Sequence, residues 1–248
     1  MKTLVFASRN AKEMMRDILT TIFGIAFPII LLVLLSIINS NIPKEAHMTL
    51  FEIENLSGGI ASFGPTFLSL FSALLISKDR CTAFIIRLYI SPMKPSGYII
   101  GYILPLIPMA MLQTLVSCLF ALFFGLEFSA NIFMIMLINI IPAFLYISIG
   151  LLCGTAFSDK MVGVICGAVL TNFSAWLSNI WFDLSLVGGA FEKIANLLPF
   201  VHCVNASRAA LSGDYSQLLS DLMWVLGYAI VIFICAVALF NYRMKQDK

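Results

Sequence analysis

Apolar residues fall into six long runs, at about 18–38, 56–77, 98–124, 130–155, 161–182 and 222–241, parted by shorter polar or charged stretches. Each run reaches the ~20 residues that a helix needs to cross ~30 Å of hydrocarbon. No water is present there to satisfy backbone groups, so a crossing segment is a helix or part of a closed barrel. These runs are too long and too continuously apolar for barrel strands. The pattern predicts an all-α polytopic membrane protein of six transmembrane helices, folded as a single transmembrane domain over residues 1–248. The first run does not read as a cleavable signal peptide, because its apolar core is too long and no small-x-small site follows at "INSNIP".

Three stretches mix apolar and polar positions instead. The N-terminal "MKTLVFASRNAKEMMRD" sets Leu4, Val5, Phe6, Met14 and Met15 among basic residues, and predicts an interfacial helix on the inner leaflet. Between the second and third runs, a helix from Asp79 to Ile90 would put Arg80 and Arg87 on one face and Phe84, Ile85 and Leu88 on an adjacent apolar one. Pro92 would end it, since the residue before a proline avoids helical geometry. An apolar stripe at the membrane surface needs a groove to cover it, from lipid or from another protein. Between the last two runs, "GGAFEKIANLLPFVHCVNASRAALSGD" suits two short helices, one on each side of Pro199, lying in or dipping into the outer interface.

Composition agrees with the pattern. The chain is 60% hydrophobic and 11% charged, with a mean hydropathy of +0.99, where soluble domains average roughly 45–50% and 25%. A formal net charge of +2 gives no reason to expect nucleic acid. The placement of the charges is more telling. Lys2, Arg9, Lys12 and Arg16 precede the first run, and Lys78, Arg80, Arg87 and Lys94 follow the second. Lys160 follows the fourth, and Arg243, Lys245 and Lys248 follow the last. The alternate connections hold only Lys44, Lys193 and Arg208. By the positive-inside rule both termini are expected in the cytoplasm, which an even number of spans requires.

Signatures of chemistry are absent from the sequence. There is no GxxxxGK[ST] phosphate loop, no HExxH, no GxSxG and no paired-carboxylate motif. The six cysteines show no metal-ligand spacing, and Cys118, Cys153, Cys166 and Cys235 fall in apolar runs as small hydrophobes, so no metal site is expected. The span interiors carry no charge, which argues against the usual proton-coupled pump. Gln113, Asn139, Thr171, Asn172 and Ser174 remain as uncharged polar groups able to bond between helices. Gly97xxxGly101, Gly150xxxGly154 and Gly163xxxGly167 mark candidate faces of close helix approach. Prolines 28, 65, 105, 108 and 142 predict kinks or breaks.

The six-span layout, the Lys78–Pro92 tract and "LLPFVHCVNASRAAL" together resemble the permease subunits of ABC-2 type exporters. In that family the connection between spans two and three has a charge cluster, then a Gly-Thr-like pair, then "RLL-x-(S/T)P". Here "KDRCTAFIIRLYISPMKPSGYIIGYILP" offers Asp79 and Arg80, Arg87-Leu88, and Ser91-Pro92, with Gly101 at a commonly small position. Pro199, His202 and Arg208 fit the family's proline, aromatic-or-histidine and alanine-arginine pattern before the last span. Cys81-Thr82-Ala83 lacks the usual glycine, and Asp79 stands where glutamate is commoner.

The resemblance implies a coupling helix at 79–90, with Asp79, Arg80, Phe84, Arg87 and Leu88 fitting a cleft in ABC ATPase subunits. ATP and Mg would be bound by that partner, with no cofactor in this chain. The segment at about 186–212 would be a re-entrant outer gate carrying Pro199, His202 and Arg208. A substrate pathway would run between two six-span halves, formed with a second permease copy or a sister permease and lined by Phe67, Phe71, Asn172 and Trp176. The expected role is export of a hydrophobic or amphipathic substrate across a bacterial plasma membrane, in contact with membrane lipid. A drug (hence antibiotic resistance), an antimicrobial peptide and a lipid-like molecule all suit it. A polytopic membrane enzyme and a non-transporting immunity or signalling subunit are the alternatives.

Overall fold

A computed structural model describes residues 2–18, 22–41, 49–81 and 95–246. Among them the chain is helical throughout its regular structure, with no strand. Five helices are long and apolar enough to cross a membrane: Gly24–Asn41, Ile53–Cys81, Ser96–Leu122, Asn131–Ala156 and Leu218–Lys245. The sixth expected span, at about 161–182, does not reach that standard. Its helix runs from Asp159 to Trp176 in three pieces, α-helical, then π-helical over Gly163–Val169, then α-helical again. Asp159 and Lys160 at one end and Thr171, Asn172 and Ser174 near the other dilute its apolar character. The described residues therefore give five candidate spans where the hydropathy pattern predicted six.

We number the helices α1 (Lys2–Arg16), α2 (Phe27–Asn41), α3 (Ile53–Phe63), α4 (Thr66–Cys81), α5 (Pro95–Ile103), α6 (Leu106–Leu122), α7 (Asn131–Ile138), α8 (Ile140–Ala156), α9 (Asp159–Val162), α10 (Leu170–Trp176), α11 (Leu184–Val187), α12 (Gly189–Leu197), α13 (Pro199–Ser212) and α14 (Leu218–Gln246). Three spans are each built of two helical pieces, α3–α4, α5–α6 and α7–α8. The prolines explain the breaks. Pro65 and Pro105 stand immediately before α4 and α6, while Pro28 and Pro142 lie in the first turns of α2 and α8. A proline before or in the first turn of a fresh helix costs little, but α2 continues the π-helical turn Ile22–Ala26 without a gap, so Pro28 leaves the Gly24 carbonyl without its ladder donor. Pro108, expected to disrupt its span, is likewise accommodated in the first turn of α6.

α8 is the central helix and packs on α14 and α4. Lipid tails are as apolar as leucine, so burial alone gives helices little reason to associate, and close packing of small residues takes over. At Gly150 an added Cβ would collide with the Ser72 hydroxyl and the Ser69 carbonyl, and at Gly154 with the backbone of Ala73. Ser72 Oγ completes the seam by donating to the Ile147 carbonyl at 3.2 Å. The Gly150xxxGly154 motif is thus the α8–α4 contact. By contrast Gly163 has nothing within 4 Å of its Cβ position.

Polar residues inside the spans join helices. Asn139, at the α7–α8 break, donates to Thr114 Oγ1 (3.2 Å) and accepts from Ser207 Oγ (2.6 Å), linking three segments. Gln113 donates to the carbonyl of Gly24, in the π-helical turn Ile22–Ala26 that opens the first span. A π-turn leaves carbonyls out of the ordinary ladder, and this one is taken by a side chain from α6.

Candidate functional site

Two polar clusters lie at opposite ends of the bundle. At the end carrying α1, the amphipathic helix turns Phe6, Ala7, Asn10 and Met14 inward and leaves Leu4, Val5 and Met15 exposed. Phe6 meets Tyr98 and Tyr102 edge-on, with ring centroids 5.7 and 5.0 Å apart. It lies against Gly101, where any Cβ would strike its ring. Asn10 donates to the Gly101 carbonyl at 3.1 Å. This end of the structure therefore needs the small residue that the sequence has at 101.

Asp79 is the hub of the cluster. It lies in the last turn of α4 and is 3% exposed. Arg9 grips it with both guanidinium nitrogens, at 2.7 and 2.8 Å, and Tyr102 donates its hydroxyl at 2.8 Å. A carboxylate near a helix C-terminus is opposed by the helix dipole, and the charge-assisted bonds from Arg9 and Tyr102 offset that repulsion. Arg9 also meets Glu13 one turn along α1, at 2.9 Å. Partial burial works against the Arg9 cation, but the hydrogen bond and charge of Asp79 outweigh it and raise its pKa. Arg80, the next residue, turns the other way and donates to the carbonyls of Gly154 (2.9 Å) and Thr155 at the C-terminal end of α8. A cation there satisfies carbonyls that have no intrahelical partner and suits the dipole. Ser77 reaches Asp159 at the start of α9.

Residues 79–81 therefore continue the span helix rather than starting a separate surface helix. Asp79 and Arg80 are joined within the chain to α1, α5 and α8. Phe84, Arg87 and Leu88, the other residues expected to couple to an ATPase, lie outside the described residues, as does the rest of the 82–94 stretch.

At the opposite end, α12 and α13 form a helical hairpin with Leu198 between them. Pro199 occupies the first position of α13, where it needs no donor, and is buried. α13 packs among α3, α7 and α14, so this segment enters the bundle rather than resting on its surface. Arg208 fastens it: Nε donates to the carbonyl of Asn55 at 3.0 Å and a terminal nitrogen to that of Asn179 at 2.9 Å. Gly58 makes the approach possible, since its Cβ position lies 3.1 Å from the Arg208 backbone. Asn179 has φ of +62°, a left-handed conformation that asparagine tolerates better than most residues. His202 bonds to Asp221 on α14 (2.6 Å) and to the Asn196 carbonyl (2.9 Å). Trp224 and Tyr228, also on α14, both donate to the Leu197 carbonyl, at 3.1 and 2.9 Å. The three residues expected at the outer gate thus share one hairpin.

The four expected pathway residues part into two pairs. Phe67 and Phe71 are each 4% exposed and belong to the subunit core, with Phe67 edge-on to Phe27 and Phe63 at 5.2 and 5.8 Å. Asn172 and Trp176 lie on the outside of the bundle and line one open groove of about 310 Å³ with Phe173, Leu177 and Phe191. Asn172 is the one polar side chain in that lining, and its amide already donates to the Ala168 carbonyl at 2.8 Å. The groove offers carbon surface and a single amide.

Arg9, Asn10 and Tyr102 escaped the sequence reading as site residues, although Arg9 was counted among the inner charges. A tyrosine and an arginine 93 positions apart in the chain carry no joint signal until the helices pack. Among the described residues, no group of three or more His, Cys, Asp or Glu is placed to hold a metal ion.

In comparison with known proteins, the model of the family described as "ABC-2 type transporter" matches residues 1–212. No curated protein matches the chain.

Proposed function

From the premise that the chain belongs to the ABC-2 type transporter family, we propose that it is the permease subunit of an ATP-driven exporter in a bacterial plasma membrane. Membership makes the chain a membrane transport component rather than a catalytic one and implies association with ABC ATPase subunits. ATP and Mg are then bound by those partners, both termini face the cytoplasm, and the helix from Asp159 to Trp176 completes a set of six spans.

The observation that carries the mechanism is the pair Asp79–Arg80. In this reading the 82–94 stretch receives the ATPase, with Phe84, Arg87 and Leu88 at the contact. A push on that stretch acts first on Asp79 and Arg80. Those two residues are tied to α1 and α5 through Arg9 and Tyr102, and to α8 through the Gly154 carbonyl. The force is thereby distributed over several helices as one body, which is what rocking one permease half against the other requires. At the far end, the hairpin bearing Pro199, His202 and Arg208 closes the exit.

The face bearing Gly163, Val164, Phe173 and Trp176 is exposed along a helix of a membrane bundle. A second permease copy or sister permease covers it, and Asn172 and Trp176 then border the route between the halves. An almost wholly carbon-lined groove suits a hydrophobic or amphipathic cargo, such as a drug, an antimicrobial peptide or a lipid-like molecule, and export of this kind gives antibiotic resistance. The test is co-expression with the ATPase followed by reconstitution into proteoliposomes. ATP-dependent movement of an amphipathic dye is expected with the parent chain, and reduced ATPase co-purification with Arg87→Ala and Leu88→Ala. ATP-independent movement, or undiminished co-purification of both variants, overturns the reading.

A further inference from the structure

The hairpin of α12 and α13 is closed by a histidine whose surroundings demand a proton. His202 Nδ1 lies 2.6 Å from Asp221 Oδ1, and Nε2 lies 2.9 Å from the carbonyl oxygen of Asn196. A carbonyl and an ionised carboxylate only accept, so both ring nitrogens must carry hydrogen, and only the imidazolium carries two. A neutral imidazole has one N–H. It satisfies one of the two oxygens and turns a lone pair towards the other. Placing the extra proton on Asp221 leaves the count unchanged, because the closed arrangement still holds one proton more than a neutral imidazole beside a carboxylate.

The groups around it leave the His202 ring as the junction of this cluster. From α14 it faces Asp221, and the Trp224 ring stands 5.5 Å away. From α12 it faces the uncharged Asn196 carbonyl. Glu192 and Lys193, the charged residues of α12, lie about a turn earlier, and among the described residues no hydrogen bond or ion pair joins them to His202. On α13 itself, Cys203 is buried beside it and Arg208 is committed to Asn55 and Asn179. The two other bonds that α14 makes to the hairpin apex come from Trp224 and Tyr228, and both are kept across neutral pH. Histidine is the side chain that ordinarily changes charge between about pH 5 and pH 8.

We infer that His202 is a proton-operated clasp on this hairpin. With the proton in place, α12, α13 and α14 are tied through one ring. Loss of the proton removes one of its two contacts and loosens α12 and the apex from α14. The sign follows: the hairpin is held most firmly on the acid side and opens more readily as pH rises through the imidazole's titration. The clasp stands on geometry alone, and only its consequence for transport rests on reading the hairpin as the outer gate.

The chain has two histidines, so His47→Gln leaves a single imidazole for nitrogen-15 spectroscopy of the full chain in lipid nanodiscs. Spectra taken between about pH 5 and pH 8 are expected to show both ring nitrogens protonated when the hairpin is closed and one proton lost when it opens. Hairpin opening is followed by a cysteine placed at the fully buried Ala195, with labelling read by mass spectrometry of that peptide. The same measurement in His202→Gln corrects for thiol ionisation and for any loss of stability. The parent's rise in labelling from acid to alkaline pH should exceed that of His202→Gln by about tenfold, the loss of one charge-assisted hydrogen bond. A ring that is neutral at pH 5, or equal rises in the two proteins, overturns the clasp. If the ring titrates and labelling follows it, while transport by the whole complex has the same pH profile in parent and His202→Gln, the clasp stands and the gate reading falls.

Discussion

Replacing Gly150 by alanine tests whether the α8–α4 seam holds the bundle together. The new Cβ would fall on the Ser72 hydroxyl and the Ser69 carbonyl oxygen. Ser72 is able to swing aside, at the expense of its 3.2 Å bond to Ile147. The Ser69 carbonyl belongs to the helix backbone and cannot. The Cβ position is 2.1 Å from that oxygen and a carbon against a carbonyl oxygen needs roughly 3.3–3.6 Å, so α8 and α4 must part by roughly 1.2–1.5 Å. Parting also loosens Gly154, whose Cβ position is 2.8 Å from the Ala73 Cα. Overpacking of this kind costs about 1–3 kcal/mol, and the rigidity of the obstacle puts Gly150→Ala at the upper end. For a chain of this size that is a fall of about 6–12 °C in the unfolding midpoint. The assay is thermal unfolding of the purified chain in detergent micelles, followed by tryptophan fluorescence. Gly163→Ala is the control, with the same substitution in the same motif but nothing within 4 Å. It should be neutral or more stable, by up to ~1 kcal/mol from helix propensity. Equal midpoints for the parent and Gly150→Ala, or an equal fall for Gly163→Ala, would refute the reasoning.

Other outcomes follow from the same packing. Asp79→Asn keeps the shape but removes the charge that Arg9 grips. With Arg9 38% exposed, the loss is screened and should be about 1–2 kcal/mol. It should appear as faster tryptic cleavage at Lys12 and Arg16 as α1 leaves the bundle. Arg208→Lys retains a cation but cannot bridge the Asn55 and Asn179 carbonyls with one planar fork, so protease resistance of the α12–α13 hairpin should drop while helicity is kept. Asn139→Leu should cost about 2–3 kcal/mol in micelle unfolding, because it strips the partner from buried Thr114 and one of two from Ser207. Asn179→Gly keeps the left-handed backbone and gives up the 3.1 Å bond from the Leu184 N–H, at about 1 kcal/mol, while Asn179→Val loses that bond and adds about 1–2 kcal/mol, since a β-branched residue resists the left-handed backbone.

The membrane character of the chain, its helical class and the N-terminal amphipathic helix were all legible without a structure. Each depends on local composition or on a period along the chain, and hydrocarbon allows few ways of satisfying a backbone. Five of the six expected spans meet the standard for crossing. The remaining one shows the limit of the pattern, because a run of apolar residues at 161–182 does not disclose that its helix passes through a π-turn and stops at Trp176. Three GxxxG motifs looked alike as text. Gly150xxxGly154 became a helix seam, Gly101 received Phe6, and Gly163 faces open space. A glycine's role depends on what another segment brings against it, and one segment's sequence does not contain that information.

The same distinction divides the candidate site. The resemblance to ABC-2 permeases, through the charge cluster after the second run and the proline-histidine-arginine pattern before the last, pointed to Asp79, Arg80, Pro199, His202 and Arg208. The partners that give them a function are Arg9 and Tyr102 for Asp79, the end of α8 for Arg80, Asp221 and the Asn196 carbonyl for His202, and the Asn55 and Asn179 carbonyls for Arg208. Several of these are backbone carbonyls, which every residue possesses and no sequence distinguishes. Sequence alone determined that the chain lies in a membrane as helices, because that follows from transfer of side chains and backbone out of water. Tertiary structure decided which polar groups meet, because a hydrogen bond requires two atoms within about 3 Å and helix packing alone sets that distance.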